Sequence, residues 1–321
     1  MRTVVYNEYG GPEVLTVTEM EKPVPQDNEI LIKVGGSALN PVDTYFRKGI
    51  RPVPAFPHIP HFDLGGVVDS VGKNITKVKP GDGVWATNIS GTSAEYLTAT
   101  QEDVFLLPDK ITEVEGAAVA MPFTTAHLSL HYRANLQAGE TVLVYGGAGA
   151  VGNAAIQLAK VAGATVIATA GNEEKADICR EAGADHVILY KETDLLEKLA
   201  DITGSEAGID VILDMSLSEN LETDLQAIKV GGRIVTIGSP VNNTPTLPWR
   251  VLNQKNAALL GILLFTAPKE EIRKAGEDIS ALLKNERVKP HVGATFTFEE
   301  AAEAHRKLEE KQVNGSIVLV P

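Results

Sequence analysis

Cysteine is nearly missing from this chain: Cys179 stands alone. An internal disulfide is therefore excluded, as is the four-thiolate cluster of a structural zinc site. No apolar run approaches the ~18 residues that cross a bilayer. Basic blocks are missing too. The 29 Lys and Arg residues are outnumbered by 42 Asp and Glu, a net charge of −13. That balance disfavours a nucleic-acid partner, which is held by a positive surface that displaces counterions. The opening run Met1-Arg-Thr-Val-Val-Tyr-Asn alternates like a strand and has no apolar signal segment, so we expect a cytoplasmic protein. Cys179 lies in a helical stretch and reads as a small buried residue.

What is present divides the chain by rhythm. At 321 residues, about two domains are expected. The first third carries short alternating runs, such as Glu29-Ile-Leu-Ile-Lys-Val and Gly65-Gly-Val-Val-Asp-Ser-Val-Gly, punctuated by Gly and Pro. These predict a barrel or partly open β-domain. A helical stretch from Thr112 to Leu130 follows, interrupted by Pro122. Apolar strands then alternate with helices, starting at Thr141-Val-Leu-Val-Tyr, Thr165-Val-Ile-Ala-Thr-Ala and His186-Val-Ile-Leu-Tyr. Gly208-Ile-Asp-Val-Ile-Leu-Asp and Gly232-Arg-Ile-Val-Thr-Ile-Gly continue the series. Such alternation predicts a parallel sheet covered on both faces, an α/β doubly wound fold. The last segment, with a helix from Lys269 and a final strand at Gly315-Ser-Ile-Val-Leu-Val, is too short to stand alone and is expected to return to the β-domain.

The chemistry concentrates after Tyr145. Gly147, Gly149 and Gly152 satisfy G-x-G-x-x-G between a strand and a helix, with Ala148, Ala150 and Val151 between them. In that setting the pattern marks a dinucleotide site. Gly147 is expected to permit the tight turn, Gly149 to admit a pyrophosphate, and Gly152 to let the helix pack on the strand. The helix N-terminus then offers free N–H groups and a positive dipole to the phosphates. The next strand ends Thr169-Ala-Gly-Asn172 with no carboxylate for the ribose hydroxyls, and Lys175 follows on the first turn. A cation there suits a 2′-phosphate, so the expected cofactor is NADPH. Asn172 reads as the helix N-cap. Glu173 and Glu174 would oppose a phosphate, although acidic residues also suit a first helical turn.

Several motifs carry a resemblance over essentially the whole length: Gly10-Gly-Pro-Glu-Val-Leu, Asn40-Pro-Val-Asp-Thr-Tyr, Lys79-Pro-Gly-Asp-Gly-Val, the glycine loop, Gly183-Ala-Asp-His-Val-Ile, Gly231-Gly-Arg-Ile-Val and Asn314-Gly-Ser. In these the chain resembles the zinc-free quinone oxidoreductases, the group that includes zeta-crystallin, within the medium-chain dehydrogenase/reductase superfamily. The resemblance implies a Rossmann domain, residues 125–264, inserted into a β-rich GroES-like barrel domain, residues 1–124 plus 265–321. It implies that Asn40 and Tyr45 line the nicotinamide and substrate cleft and that Thr125 lies near the cofactor. Lys175 and Tyr190 would flank the 2′-phosphate, with Gly238 and Asn314 making further cofactor contacts. A homodimer or homotetramer is implied as well. Zinc members place Cys near the position of Asn40-Pro-Val-Asp43 and a His-Glu pair near His61-Phe-Asp63. Neither set survives here, and His58, His61 and Asp63 read as a loop histidine pair and a structural carboxylate. His127 and His131, four apart on a helix, share a face without further ligands.

A site of this kind, without a metal to meet an alkoxide, suits quinones or α,β-unsaturated carbonyls, where charge spreads onto a conjugated oxygen and a hydrogen-bond donor suffices. Tyr45 is the expected donor, supported by Asn40 or by a cofactor hydroxyl. Two other readings stay open: a non-catalytic NADPH-binding or RNA-binding protein that keeps the fold, and an enoyl-thioester reductase.

Overall fold

The computed structural model describes residues 1–204 and 208–321. The chain divides into two compact units, Met1–Thr124 with Gly276–Pro321, and Thr125–Ala275. The second division falls after Ala275, inside the helix Lys269–Lys284, where the sequence had suggested residue 264.

The second unit is an α/β layer structure. Its strands are β1 (Thr141–Val144), β2 (Thr165–Ala170), β3 (His186–Leu189), β4 (Ile209–Asp214), β5 (Ile228–Thr236) and β6 (Ala258–Gly261). All pair in parallel, in the order β3-β2-β1-β4-β5-β6. Leu143, Ile167, Ile212 and Ile234, one from each of four strands, are fully buried. Helices cover both faces, which is why these strands read as continuous apolar runs. The winding reverses between β1 and β4, so a crevice is expected at the carboxyl ends of these strands. The glycine loop leaves β1 at that end. β6 was not anticipated, because Ala-Leu-Leu-Gly contains no β-branched residue.

The first unit is built around the long strand Glu29–Leu39. It pairs antiparallel with Asp63–Val71, with Tyr96–Thr100 and with the terminal strand Ser316–Val320. Ser316–Val320 in turn pairs in parallel with Val292–Thr297. Ile30, Ile32, Leu64 and Val84 form one apolar cluster, and Tyr6, Phe298 and Leu319 belong to another.

Pro122 lies within the helix Glu113–His127 and does not end it. Proline removes an N–H and frees the carbonyl four residues earlier. Here that carbonyl, on Ala118, receives the Ser316 hydroxyl at 3.1 Å. Among the described residues, no helix is long and apolar enough to cross a membrane.

Candidate cofactor and active site

The glycine loop is anchored from β2. The Gly146 and Gly147 amides donate to the Thr169 hydroxyl and carbonyl, each at 3.1 Å. The left-handed turn falls at Gly146, φ +62°, and not at Gly147 as expected from the motif. Gly147 is required for packing instead: a Cβ there would meet Cys179 Sγ at 2.7 Å and Ala168 Cβ at 3.0 Å. Gly152 likewise faces the loop, since its Cβ would lie 2.3 Å from the Gly146 carbonyl oxygen. Gly149 is exposed, and a Cβ there would meet only that oxygen, at 3.3 Å. Gly149 caps helix Ala150–Val161 with no side-chain acceptor, so the amides of Ala150 and Val151 face outward as orphan donors of a first turn. Ala148 is buried behind them. This cradle fits a diphosphate. Cys179 is buried and its thiol is pushed up to about 11 by burial, in keeping with an inert packing role.

At the end of β2 the Asn172 side chain accepts the Lys175 amide at 2.9 Å, the expected N-cap. The acidic neighbour Glu173 is engaged by Arg180 at 3.1 Å, which offsets its charge. The Tyr190 hydroxyl stands 3.1 Å from where a Gly171 Cβ would project, and Lys191 Cε stands 3.6 Å from it. Thus Gly171, Lys175 and Tyr190 sit around one strand end, and Lys191 joins them as a second cation that sequence reasoning missed. Gly238 lines a cavity of about 400 Å³ with Thr236, Gly261, Leu263 and Thr266, off the ends of β5 and β6. Thr125 is buried, and its carbonyl receives the Ser129 hydroxyl at 2.7 Å.

Beneath the loop lies a buried carboxyl pair. The Tyr145 hydroxyl donates to Asp224 Oδ1 at 2.8 Å. Asp214, at the end of β4, accepts the Ser216 amide at 2.7 Å and Asn220 Nδ2 at 2.9 Å. Asp214 stands close enough to Asp224 for the charge of one to disfavour ionisation of the other. Burial, with the Asp214 charge beside it, pushes Asp224 up to about 8, so the proton resides there at neutral pH. Between the ordinary value of 3.8 and about 8 the folded protein therefore holds a proton that the unfolded chain has released. Stability falls as pH rises through that window. Asp224→Asn mimics the protonated form, so its gain in melting temperature over the parent should grow from about pH 5 to about pH 8. A gain that does not change with pH would contradict this assignment.

In the first unit, Asn40 caps the helix Pro41–Arg47, which carries the half-buried Tyr45. Its amide donates to Asp43 Oδ2 at 2.6 Å, and its carbonyl accepts the Asp43 amide at 3.0 Å. Its side chain donates to the buried Asp63 at 2.7 Å. Burial raises Asp63 to about 7 against the pull of three hydrogen bonds. His61, read from sequence as a loop residue, is a buried hub in the left-handed region, φ +72°. Its Nδ1 pairs with Ser93 Oγ at 2.7 Å and Ser37 Oγ at 3.1 Å, and its Nε2 meets His305 Nε2 at 3.0 Å. Burial lowers His61 to about 3, so the ring is neutral. Both ring nitrogens of His61 and both oxygens of Asp63 are thus engaged by protein partners. Among the described residues, no group of three or more His, Cys, Asp or Glu could hold a metal ion. Asn314 is half-buried in the turn before Ser316–Val320.

Two family models match the chain: an alcohol dehydrogenase GroES-like domain over residues 26–109 and a zinc-binding dehydrogenase over residues 150–281. A quinone oxidoreductase of Sus scrofa is 36% identical over 98% of this chain and 95% of its own length. The solved structure of Escherichia coli quinone oxidoreductase complexed with NADPH is 29% identical, covers all of both chains and superposes with a TM-score of 0.88. A structure of an NAD-dependent alcohol dehydrogenase, 31% identical over both full chains, superposes at 0.93. The glycine cradle, the reversing parallel sheet and these full-length likenesses place the chain in the quinone oxidoreductase family of the medium-chain dehydrogenase/reductase superfamily.

Proposed function

We propose that this protein is an NADPH-dependent reductase of quinones or α,β-unsaturated carbonyls. The observation that carries the choice of cofactor is the end of β2. It holds Gly171 and Asn172 where an NAD site has an acid, with Lys175 and Tyr190 beside them. One similar structure is described as NAD-dependent, but a ribose-binding acid is not present at that strand end. The cradle from Gly146 to Gly152 would hold the diphosphate, and Thr125, Gly238 and Asn314 are assigned further contacts along the cofactor.

When bound, the reduced nicotinamide supplies the hydride. The residues of this chain bind, orient and donate. Asn40 fixes the nicotinamide end, and Tyr45 donates a hydrogen bond to the acceptor oxygen as charge develops on it. A donor suffices for a conjugated carbonyl, because the charge is shared across the acceptor. With one cysteine in the sequence and His61 and Asp63 committed, we assign no residue to a catalytic metal.

The test is a turnover assay with purified protein, NADPH and a panel of benzoquinones, naphthoquinones and enones. Loss of NADPH absorbance above background with at least one acceptor is expected. Saturable NADPH binding with no turnover on any of them would favour a non-catalytic binder instead.

A further inference from the structure

The winding of the parallel sheet reverses between β1 and β4, and a dinucleotide lies in a crevice of that kind. The floor of this crevice carries charge. Tyr145 directly follows β1, and Asp214 is the last residue of β4. The Tyr145 amide donates to the Leu213 carbonyl at 3.2 Å, so the two strand ends lie side by side. The residue after Tyr145 is Gly146, where the glycine loop begins. The Tyr145 hydroxyl bonds to Asp224, on the helix Leu217–Ala227. One side chain thus connects the root of the loop to a carboxyl pair.

Both carboxyls are completely buried. Asp214 Oδ1 takes donors from Ser216 and Asn220, and Asp224 Oδ1 takes the one from Tyr145. No N–H or hydroxyl of another residue reaches Asp214 Oδ2 or Asp224 Oδ2. Among the described residues, no cation bears on either carboxyl. Glu219, on the same helix, adds negative charge beside Asp214. Lys255 spends its ammonium on the Gln226 and Ile228 carbonyls, at 3.3 and 2.8 Å, and Lys229 is held by Asp210 at 2.9 Å. Burial, then the Asp224 charge, keep the Tyr145 hydroxyl protonated, so it stays a donor. A second negative charge at this pair therefore finds no counter-ion in the protein, and an uncompensated buried charge is costly.

The coenzyme's diphosphate brings negative charge to the same crevice. Its arrival disfavours a second charge on the pair, and by reciprocity that second charge disfavours the diphosphate. We propose that the Asp214–Asp224 pair regulates the coenzyme site: the dinucleotide binds best while the pair holds one proton, protons are taken up from solvent on binding, and affinity falls once the pair holds none. The inference rests on the reading that the glycine loop grips the diphosphate. It gives the Asp224 proton a function besides stability, because that proton keeps the crevice floor at one negative charge instead of two.

The experiment is calorimetric titration of NADPH into the intact protein from about pH 7 to about pH 9, in buffers of different ionisation enthalpy. This window lies above the second ionisation of a phosphate monoester, about 6, so the charge of the coenzyme stays constant. Asp224 ionises at about 8. The affinity of the parent should fall about fivefold across the window as that charge appears. At about pH 8, binding should take up about 0.4 of a proton, the amount that a fivefold preference for the protonated form requires. Asp224→Asn keeps an oxygen for the Tyr145 hydroxyl and cannot ionise. Its affinity should change by less than about twofold across the window, with no proton uptake at about pH 8. An Asp224→Asn variant that copies the pH profile and proton uptake of the parent overturns the proposal.

Tyr145→Phe provides a second arm should that variant not fold. The lost hydroxyl bond is the one contact that favours ionised Asp224 over burial and Asp214. Ionisation then moves to higher pH, and less affinity should be lost by about pH 9 than in the parent. An equal or larger loss contradicts the proposal. If the parent binds no NADPH at any pH, the diphosphate reading has failed. If the parent binds with an affinity that is flat across the window and takes up no proton, only the role of the carboxyl pair has failed.

Discussion

Gly152→Val should abolish measurable NADPH binding while leaving the first unit folded. The reason is steric and local. The added Cβ would lie 2.3 Å from the Gly146 carbonyl oxygen and 2.9 Å from Gly147 Cα. Both are backbone atoms, so no rotamer change relieves the clash. The helix must move off the loop, and the amides of its first turn lose their aim. Losing two charge-assisted hydrogen bonds of about 2 kcal/mol each weakens binding by roughly a thousandfold, at tenfold per 1.4 kcal/mol. Gly149→Ala separates loss of the cradle from loss of the fold. Its Cβ meets only the Gly146 oxygen, at 3.3 Å, and projects from an exposed position. That variant should melt like the parent yet bind NADPH more weakly, because its methyl group stands where the diphosphate approaches. Parent-like NADPH affinity in both variants would show that the loop is a packing turn without a ligand.

Lys175→Glu should invert the cofactor preference. The ammonium follows directly on the Asn172 cap, where the helix N-terminus adds its own positive potential. A charge-assisted contact to a phosphate is about twice as strong as a neutral one. Removing it and adding a like charge should lower kcat/KM for NADPH by roughly a hundredfold, or about 3 kcal/mol. NADH, with no phosphate at that position, should change by less than about threefold. Glu173 does not blur the comparison, because Arg180 already engages it. Equal effects on both coenzymes would remove Lys175 from the phosphate site and leave Lys191, on the other side of Gly171, as the cation to test.

The sequence made the second unit readable because its signals are local. A buried parallel strand is a continuous apolar run, and the glycine loop is a short word between two such elements. β6 escaped because Ala-Leu-Leu-Gly is equally at home in a helix. The roles of the glycines were shifted along the motif, since Gly146-Gly-Ala-Gly offers two positions for the turn and only backbone geometry decides between them. Pro122 looked like a break, and it took the Ser316 hydroxyl, far away in sequence, to satisfy the carbonyl that it frees. The partners of Asp63 lie 23, 24 and 58 residues away. No periodicity reports such a convergence. Asn40 and Tyr45 were nominated by likeness to a family, whereas the bonds that hold Asn40 became visible only with side chains in place.

Direct titration of the unaltered protein in a calorimeter tests the central claim most simply. NADPH should give a saturable heat with one site per chain and an affinity at least about tenfold above that of NADH, the worth of one added charged contact. No heat with either coenzyme, or tighter binding of NADH than of NADPH, would contradict the account.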